Sequence, residues 1–184
     1  MLLNFGGGLR RGELSGVKWG DIDFDEKQLT PKRSIVAQHV GELKTTASGK
    51  PTPLDDVLIE ELVAWRAETP YAADGDYVFA SPKKKRKQPY WMSKLLQIYI
   101  KPVAQRLGNP LKGWHTLRHS YTTLLRRSGN DMKVIQDLVR HASYNITANT
   151  YDAALSHEKR EAHSGVVHLV TTRTGADDGR MATA

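Results

Sequence analysis

The 184-residue sequence contains no cysteine, and this absence excludes two kinds of stabilising centre. A chain without cysteine has neither a disulfide framework nor a thiolate metal site. Long apolar runs are also absent, since none approaches the roughly 20 residues of a membrane-spanning helix. The first residues carry no basic segment and soon reach three consecutive glycines, unlike a secretory signal peptide. These absences predict a soluble, cytoplasmic protein without a membrane partner.

Acidic residues are outnumbered by basic ones, 20 to 27, which gives a formal net charge of +7. The corresponding isoelectric point is about 9.6. Such an excess favours a polyanionic partner, and nucleic acid before a membrane surface. The length suits one domain with an ordinary hydrophobic core.

Periodicity in the chain predicts a mainly α fold with a small antiparallel β-sheet, an α+β class. An apolar helical turn is expected at the start, before the glycines, and strands at 29–30 and 34–40 should form a sheet of about three strands. The expected helices cover residues 11–17, 54–67, 91–107, 116–127 and 131–140. Pro102 should kink or split the helix that contains it.

The last part of the chain divides into a helical segment and a tail. Helices are expected to end near Tyr151 and to cover residues 156–169. From residue 171 the sequence is small or polar without a pattern, which is typical of disorder. We therefore expect one domain over residues 1–170 and a disordered tail over residues 171–184.

Four segments carry residues suited to phosphoryl transfer. Gly8-Leu9-Arg10-Arg11-Gly12-Glu13-Leu14 supplies an arginine in a turn before a helix, and the run from Trp114 to His119 reads W-H-T-L-R-H. His141 follows, and Tyr151 lies ten residues later. Forked guanidinium groups match two phosphate oxygens at once, and imidazole titrates near neutral pH. Together these residues indicate metal-free attack of a tyrosine on a phosphodiester.

The order and local sequence of these segments resemble those of the catalytic domain of the tyrosine recombinases, the phage integrase family. His115-Thr116-Leu117-Arg118 is similar to the H-x-x-R box of that family, and Arg10 with Glu13 fits its first arginine motif. The resemblance implies site-specific recombination of double-stranded DNA through a 3′-phosphotyrosine intermediate, with no cofactor and no metal. It also implies self-association on DNA through the C-terminal segment.

The resemblance assigns roles to individual residues. Arg10, His115, Arg118 and His141 are expected at the phosphate, with Tyr151 as nucleophile. Arg11 competes with Arg10, but Glu13, three residues after Arg10, favours Arg10 and is expected to support it. Tyr144 and Tyr121 are the alternative tyrosines; Tyr144 is too near His141, and Tyr121 should face the core.

Basic residues outside those motifs are expected to assist. The run from Leu43 to Leu54 is similar to the family hairpin that carries a general-acid lysine, which identifies Lys44, with Lys50 as runner-up and more suited to backbone phosphate. The basic run Lys83, Lys84, Lys85, Arg86 and Lys87 either contacts DNA phosphates or is a solvated loop.

His119 and Arg140 are two further positions within these motifs. His119 lies four residues after His115, but a zinc site would need a third ligand, so we expect a buried structural histidine. The family motif that ends at this histidine is L-G-H, whereas this chain has Val139-Arg140-His141. Glycine there ends a helix in a left-handed conformation, so Arg140 either adopts that conformation at a cost of about 1 kcal/mol or shifts the helix end.

Relatives place one or two helices and a separate DNA-binding domain ahead of the first arginine motif. The chain is therefore expected to be a truncated gene, a fragment or the product of a mis-set start. Two rival functions follow: a catalytically impaired DNA-binding remnant of an integrase, and a type IB topoisomerase-like enzyme.

Overall fold

Helices make up about half of the fold. A computed structural model describes residues 1–84, 88–108 and 111–143. Within these ranges the helices are α1 (Leu2–Gly6), α2 (Arg11–Gly16), α3 (Asp56–Glu68), α4 (Met92–Leu95), α5 (Lys101–Arg106), α6 (Trp114–Arg127) and α7 (Met132–Leu138). The predicted helices 11–17, 54–67, 116–127 and 131–140 are thus confirmed within a few residues. All described residues fall in one compact unit.

The strands form two small antiparallel sheets instead of one. β1 (Ile22–Asp23), β2 (Gln28–Leu29) and β5 (Thr52–Pro53) form the first in the order β1-β2-β5, with Leu29 paired to Ile22 and to Thr52. The second sheet is a hairpin of β3 (Ser34–Val36) and β4 (His39–Gly41), with Ile35 opposite Val40.

The prediction of one strand over 34–40 is therefore wrong. Ala37 and Gln38 both have positive φ, 50° and 67°, and form a two-residue turn in the middle of that segment. Positive φ at both central residues matches the right-handed twist of the flanking strands. The turn lacks the asparagine or glycine that normally signals it, which is why the sequence pattern suggested a continuous strand.

The hydrophobic core joins α1, α2, the three-stranded sheet and α3. Trp19, Leu29 and Val78 are completely buried, and Trp114 brings the start of α6 into the same cluster. Two buried indole groups reach backbone acceptors: Trp19 Nε1 donates to the Tyr71 carbonyl at 2.8 Å, and Trp114 Nε1 to the Met92 carbonyl at 2.9 Å. These bonds satisfy the indole N–H groups, as packing against a core requires.

The helical segment that begins at Met92 is divided into two α-helices, and Pro102 lies at the start of the second. A π-helical turn, Leu96–Ile100, connects α4 to α5, and Pro102 lies in the first turn of α5. Proline is tolerated at that position because its missing N–H would lack an intrahelical acceptor anyway. The prediction that Pro102 splits this helix is therefore confirmed, and the wider π-helical turn connects the two parts.

Two left-handed residues bring the ends of two helices together. Gly8 has φ +54° and turns the chain from α1 towards α2. A Cβ at Gly8 would lie 3.3 Å from Cε1 of Tyr121 on α6, so the turn packs directly against that helix. Arg140, after α7, has φ +51°. It adopts the left-handed conformation itself, so the helix end is not shifted.

Other sequence predictions fall outside the described residues: the helix near Tyr151, the helix over 156–169 and the tail over 171–184. Within the part of the chain that the structure describes, no helix is both long enough and apolar enough to cross a bilayer.

We expect Gly16→Ala to destabilise the protein by about 1–3 kcal/mol because α2 packs directly on the backbone before β3. The new Cβ would lie 2.8 Å from the carbonyl oxygen of Arg33. Arg33 cannot easily yield, since its guanidinium bonds the Gly16 carbonyl at 2.8 Å and Asp21 at 2.6 Å. Urea unfolding measures the loss of stability.

The matched control is Gly75→Ala, because a Cβ at Gly75 meets nothing within 4 Å. This variant should change the free energy of unfolding by no more than about 0.5 kcal/mol. Equal stability of the two variants would contradict the close packing of α2.

Candidate active site

Arg10 lies immediately before α2 and is held by a carboxylate on that helix. Its guanidinium Nη1 lies 2.8 Å from Oε1 of Glu13, and its backbone N–H donates to Oε2 at 2.9 Å. The Glu13 side chain is 3% exposed, whereas that of Arg10 is 23% exposed. Arg11 points to solvent. The geometry therefore agrees with the preference for Arg10, because the partner of Glu13 is Arg10.

Ser48 is a contact of Arg10 that the sequence analysis missed. Arg10 Nη1 donates to Ser48 Oγ at 2.8 Å, and the buried Ser48 is itself bonded to Thr45 in the 3₁₀ turn Thr46–Gly49 and its cap. The only sequence signal was its place in the same run as Lys44. This contact fixes the loop after β4 to the arginine.

Arg118 connects the glycine turn to the end of α7. It lies on the second turn of α6, is 5% exposed, and donates to the carbonyl oxygens of Gly8 and Val139. Arg10 reaches the same region, since its Nη2 donates to the Arg140 carbonyl at 3.3 Å. Two predicted site arginines from distant parts of the sequence are therefore brought to neighbouring carbonyls.

The two predicted site histidines lie beside these arginines. His115 is exposed on the first turn of α6 and lines a recess of about 90 Å³ together with Arg10, Glu13 and Lys44. His141 is half-buried, and its backbone is fixed by Gln136, whose carbonyl accepts from the His141 N–H at 3.0 Å. Thus Lys44, although exposed, shares a recess with Arg10 and His115.

His119 is exposed, so the prediction of a buried structural histidine is wrong. One helical turn after His115, its side chain faces away from the core, which Trp114, Arg118 and Thr122 enter from the same helix. Among the described residues, no group of three or more His, Cys, Asp or Glu side chains is arranged to hold a metal ion.

The remaining basic residues lie away from the recess of Arg10. Lys50 is exposed, and its Nζ lies 3.9 Å from Asp137 on α7. Lys83 and Lys84 are exposed on a 3₁₀ turn and line another recess, of about 580 Å³, with Trp91 and other aromatic side chains. Lys85, Arg86 and Lys87 lie outside the described residues.

Of the tyrosines considered as nucleophiles, the structure describes Tyr121. Its ring packs edge to face on Phe5 with centroids 5.8 Å apart, and burial raises the pKa of its hydroxyl. A buried phenol that is harder to ionise is a poor nucleophile, so Tyr121 belongs to the packing. Tyr151 and Tyr144 lie outside the described residues.

Burial and clustered positive charge together control the ionisation of the site. Burial, then Arg10 and Arg140, lower the pKa of Arg118 to about 9, so it remains protonated at neutral pH. Burial would raise the pKa of Glu13, but Arg140 and the bonds from Arg10 outweigh burial and lower it. The guanidinium groups of Arg10 and Arg140 thus share the carboxylate of Glu13, Arg118 adds a third positive charge, and the excess of positive charge favours a bound anion.

Both site histidines are neutral at pH 7. Burial is the largest cause of the lowered pKa of His141, which falls to about 4, and nearby cations such as Arg118 add to it. Burial followed by His119 and Arg118 also lowers the pKa of His115. A neutral imidazole can accept a proton at one nitrogen and donate a hydrogen bond from the other.

These lowered pKa values predict that the protein loses stability as the pH falls from about 6.5 towards 4. In that window the unfolded chain binds protons that the folded histidines do not, so stability rises with pH. We expect His141→Gln to flatten the dependence, measured as the free energy of unfolding in urea at several pH values.

His39→Gln, an exposed substitution on β4, is the matched control and should retain the parental slope. Glu13 contributes with the same sign, but only at pH values below its ordinary pKa of about 4.3. Parallel curves for the parent and His141→Gln would contradict a depressed histidine pKa.

Comparison with known proteins supports the family that the sequence motifs indicated. The sequence profile of the phage integrase family matches residues 1–158. A tyrosine recombinase XerC-like protein of Caldanaerobacter subterraneus subsp. tengcongensis is 33% identical over 88% of this chain and 46% of its own. Tyrosine recombinase XerC of Proteus mirabilis is 30% identical over 85% of this chain and 51% of its own. The chain thus spans about half the length of these curated relatives.

Solved structures share the fold at lower identity. The Tn1549 transposon integrase in complex with circular intermediate DNA superposes with a TM-score of 0.66 at 20% identity, over 86% of this chain and 57% of its own. XerA recombinase gives a TM-score of 0.59 at 20% identity, over 87% and 55% of the two chains. The solved structures show the shared fold, and the matched profile and the relatives establish that the chain belongs to the phage integrase family of tyrosine recombinases.

Proposed function

We propose that this chain cleaves and rejoins double-stranded DNA in site-specific recombination, through a 3′-phosphotyrosine intermediate at Tyr151. The observation that carries the proposal is the convergence of Arg10, Arg118 and His141 from three distant parts of the sequence. Their side chains lie close enough for both arginines to depress the pKa of His141. Lys44 and His115 border the recess beside Arg10.

The arginines would stabilise charge on the phosphate. Attack of an oxygen nucleophile places extra negative charge on the non-bridging phosphate oxygens, and preorganised guanidinium groups stabilise it without solvent reorganisation. Arg10 is partly exposed and able to meet a phosphate, while its orientation is fixed by Glu13 and Ser48. Arg118 is buried and contributes its positive charge from the interior of the site.

Proton transfer would use His115, His141 and Lys44. The Tyr151 oxygen forms a bond to phosphorus as the bond from phosphorus to the 5′-oxygen breaks. A neutral His115 is able to accept the phenol proton, and a neutral His141 is able to donate a hydrogen bond to the phosphate. The lysine ammonium of Lys44 would supply the proton to the leaving 5′-oxygen. Religation reverses these steps and conserves the energy of the phosphodiester.

DNA and further copies of the chain are the expected partners. The Tn1549 integrase and XerH recombinase have been solved in complexes with DNA. For this chain we propose double-stranded DNA as substrate in the cytoplasm, and self-association on DNA through the C-terminal segment, which lies outside the described residues.

We expect a covalent adduct on a nicked duplex whose short leaving strand diffuses away after cleavage. The protein should become attached to the 3′ end, because loss of the leaving strand prevents religation. Tyr151→Phe removes the nucleophilic oxygen and should abolish the adduct, detected as a shifted band in a denaturing gel.

Tyr144→Phe is the matched control and should still form the adduct. The reaction should proceed in the presence of a chelator, because arginines and histidines take the place of a metal. An adduct that persists in Tyr151→Phe or maps to Tyr144 would overturn the assignment, and chelator sensitivity would overturn the mechanism. Relaxation of supercoiled DNA without strand exchange would identify a topoisomerase, and DNA binding without an adduct would identify a remnant.

DNA affinity should fall steeply with salt because the basic side chains act mainly on phosphates. If Lys83 and Lys84 both contact phosphates, replacing both by alanine should reduce the slope of log affinity against log salt by about 2. Fluorescence anisotropy of a labelled duplex over a salt series measures the slope.

Lys27→Asn is the control variant, because it also removes a basic side chain. Lys27 is exposed and ion-paired to Asp56 at 2.6 Å, and asparagine tolerates its left-handed backbone, φ 50°. This variant should keep the parental slope. A double Lys83/Lys84 variant with an unchanged slope would show that these lysines do not contact phosphate.

A further inference from the structure

Arg140 combines a buried, charged side chain with a left-handed backbone. It is 1% exposed and holds a left-handed backbone, φ +51°, that glycine adopts without strain. A strained backbone persists only when the surrounding structure holds it in place. The contacts of its guanidinium supply that restraint.

The guanidinium of Arg140 joins three segments of the fold. Nη1 donates to the Gly7 carbonyl at 3.2 Å and to Thr52 Oγ1 on β5. Nη2 donates to the Gly8 carbonyl at 3.3 Å and to Oε2 of Glu13 at 3.0 Å. Because the side chain is fully buried, it does not reach a DNA phosphate, and any influence on the reaction passes through its neighbours.

Those neighbours are the residues assigned to the phosphate. Glu13, which pairs with Arg140, also holds the guanidinium of Arg10, and the carbonyl of Arg140 accepts from Arg10 Nη2. His141 is the next residue in the chain. The side chain of Arg140 therefore clamps the segment that carries His141 against the turn that carries Arg10.

We propose that Arg140 is a positioning residue for strand cleavage, which fixes Arg10 through Glu13 and sets the place of His141 by anchoring the end of α7. The proposal rests on the proposed function, but it assigns a role to a residue that contacts neither DNA nor the nucleophile. It predicts a defect in the rate of cleavage and not in DNA binding.

The test compares Arg140→Gly with the parent chain. Glycine accepts the backbone conformation, so the variant removes the guanidinium without adding strain. The rate of adduct formation at saturating nicked DNA should fall on the order of 10²-fold, as expected when a reacting group is misplaced by about 1 Å. The dissociation constant for DNA should stay within a factor of about 2, since the residue is buried.

Chemical rescue separates positioning from a general loss of structure. Guanidinium chloride, far below the concentrations that unfold the protein, should restore much of the rate in Arg140→Gly by occupying the space beside Glu13. Sodium chloride at the same ionic strength should not. A parental rate in Arg140→Gly, or a loss of rate and DNA affinity together that guanidinium does not restore, would overturn the proposal.

Two further measurements keep the proposal testable if the glycine variant does not fold or the parent forms no adduct. Glu13→Gln breaks the same ion pair from the other side and should slow cleavage with DNA affinity retained; a parental rate in it would count against the clamp. The imidazole NMR signals of His141 need no activity. They should shift in Arg140→Gly and return with guanidinium, and unchanged signals would overturn the proposal even if the chain cleaves no DNA.

Discussion

The buried carboxylate of Glu13 is the interaction on which the rest of the site depends. One oxygen receives the Arg10 guanidinium, and the other receives the Arg10 backbone N–H and the Arg140 guanidinium. Removing one member of a buried ion pair leaves an uncompensated charge and typically costs about 3–5 kcal/mol. Because Glu13 lies on α2, the packing of that helix on the backbone before β3 also fixes the arginines.

Backbone carbonyl groups are the second support of the site. The carbonyls of Gly7, Gly8, Val139 and Arg140 all accept hydrogen bonds from arginine side chains. Both segments are irregular, one between α1 and α2 and the other after α7, so their carbonyls lack helical partners. The arginines therefore satisfy the backbone and concentrate positive charge at the same place. Lysine could not replace them, because one ammonium lacks the planar fork that spans two acceptors.

Burial and this concentration of positive charge together determine the protonation state of the histidines. Burial beside protonated arginines disfavours the imidazolium form of both His115 and His141. The fold thus keeps positive charge on groups that cannot lose it near neutral pH and leaves the two imidazoles uncharged. Arg118 retains its proton even though burial and its neighbours lower its pKa to about 9.

Local sequence was sufficient where a residue's partner lies within one or two helical turns. The spacing of Arg10 and Glu13 predicted that these two side chains interact, which the structure confirms, and Asp55 caps the start of α3 by accepting from the Val57 N–H. Prediction from local sequence failed where a turn lacked its usual residues, as at Ala37 and Gln38. It also failed where burial depends on distant elements, as for His119. Periodicity places a residue on a helix face but does not say which face other elements cover.

The sequence by itself determined the mainly helical class, the family and the residues expected at the phosphate, because those are recorded in short motifs and local spacing. Only the tertiary structure decided which residues Arg140 and Ser48 contact. In sequence, Arg140 was a departure from a glycine; in the fold it lies 127 residues along the chain from its partner Glu13 and contacts it at 3.0 Å. Such a contact depends on how α2, β5 and the end of α7 pack together. A buried charge is stabilised by partners that the whole fold brings to it, and no local pattern contains that information.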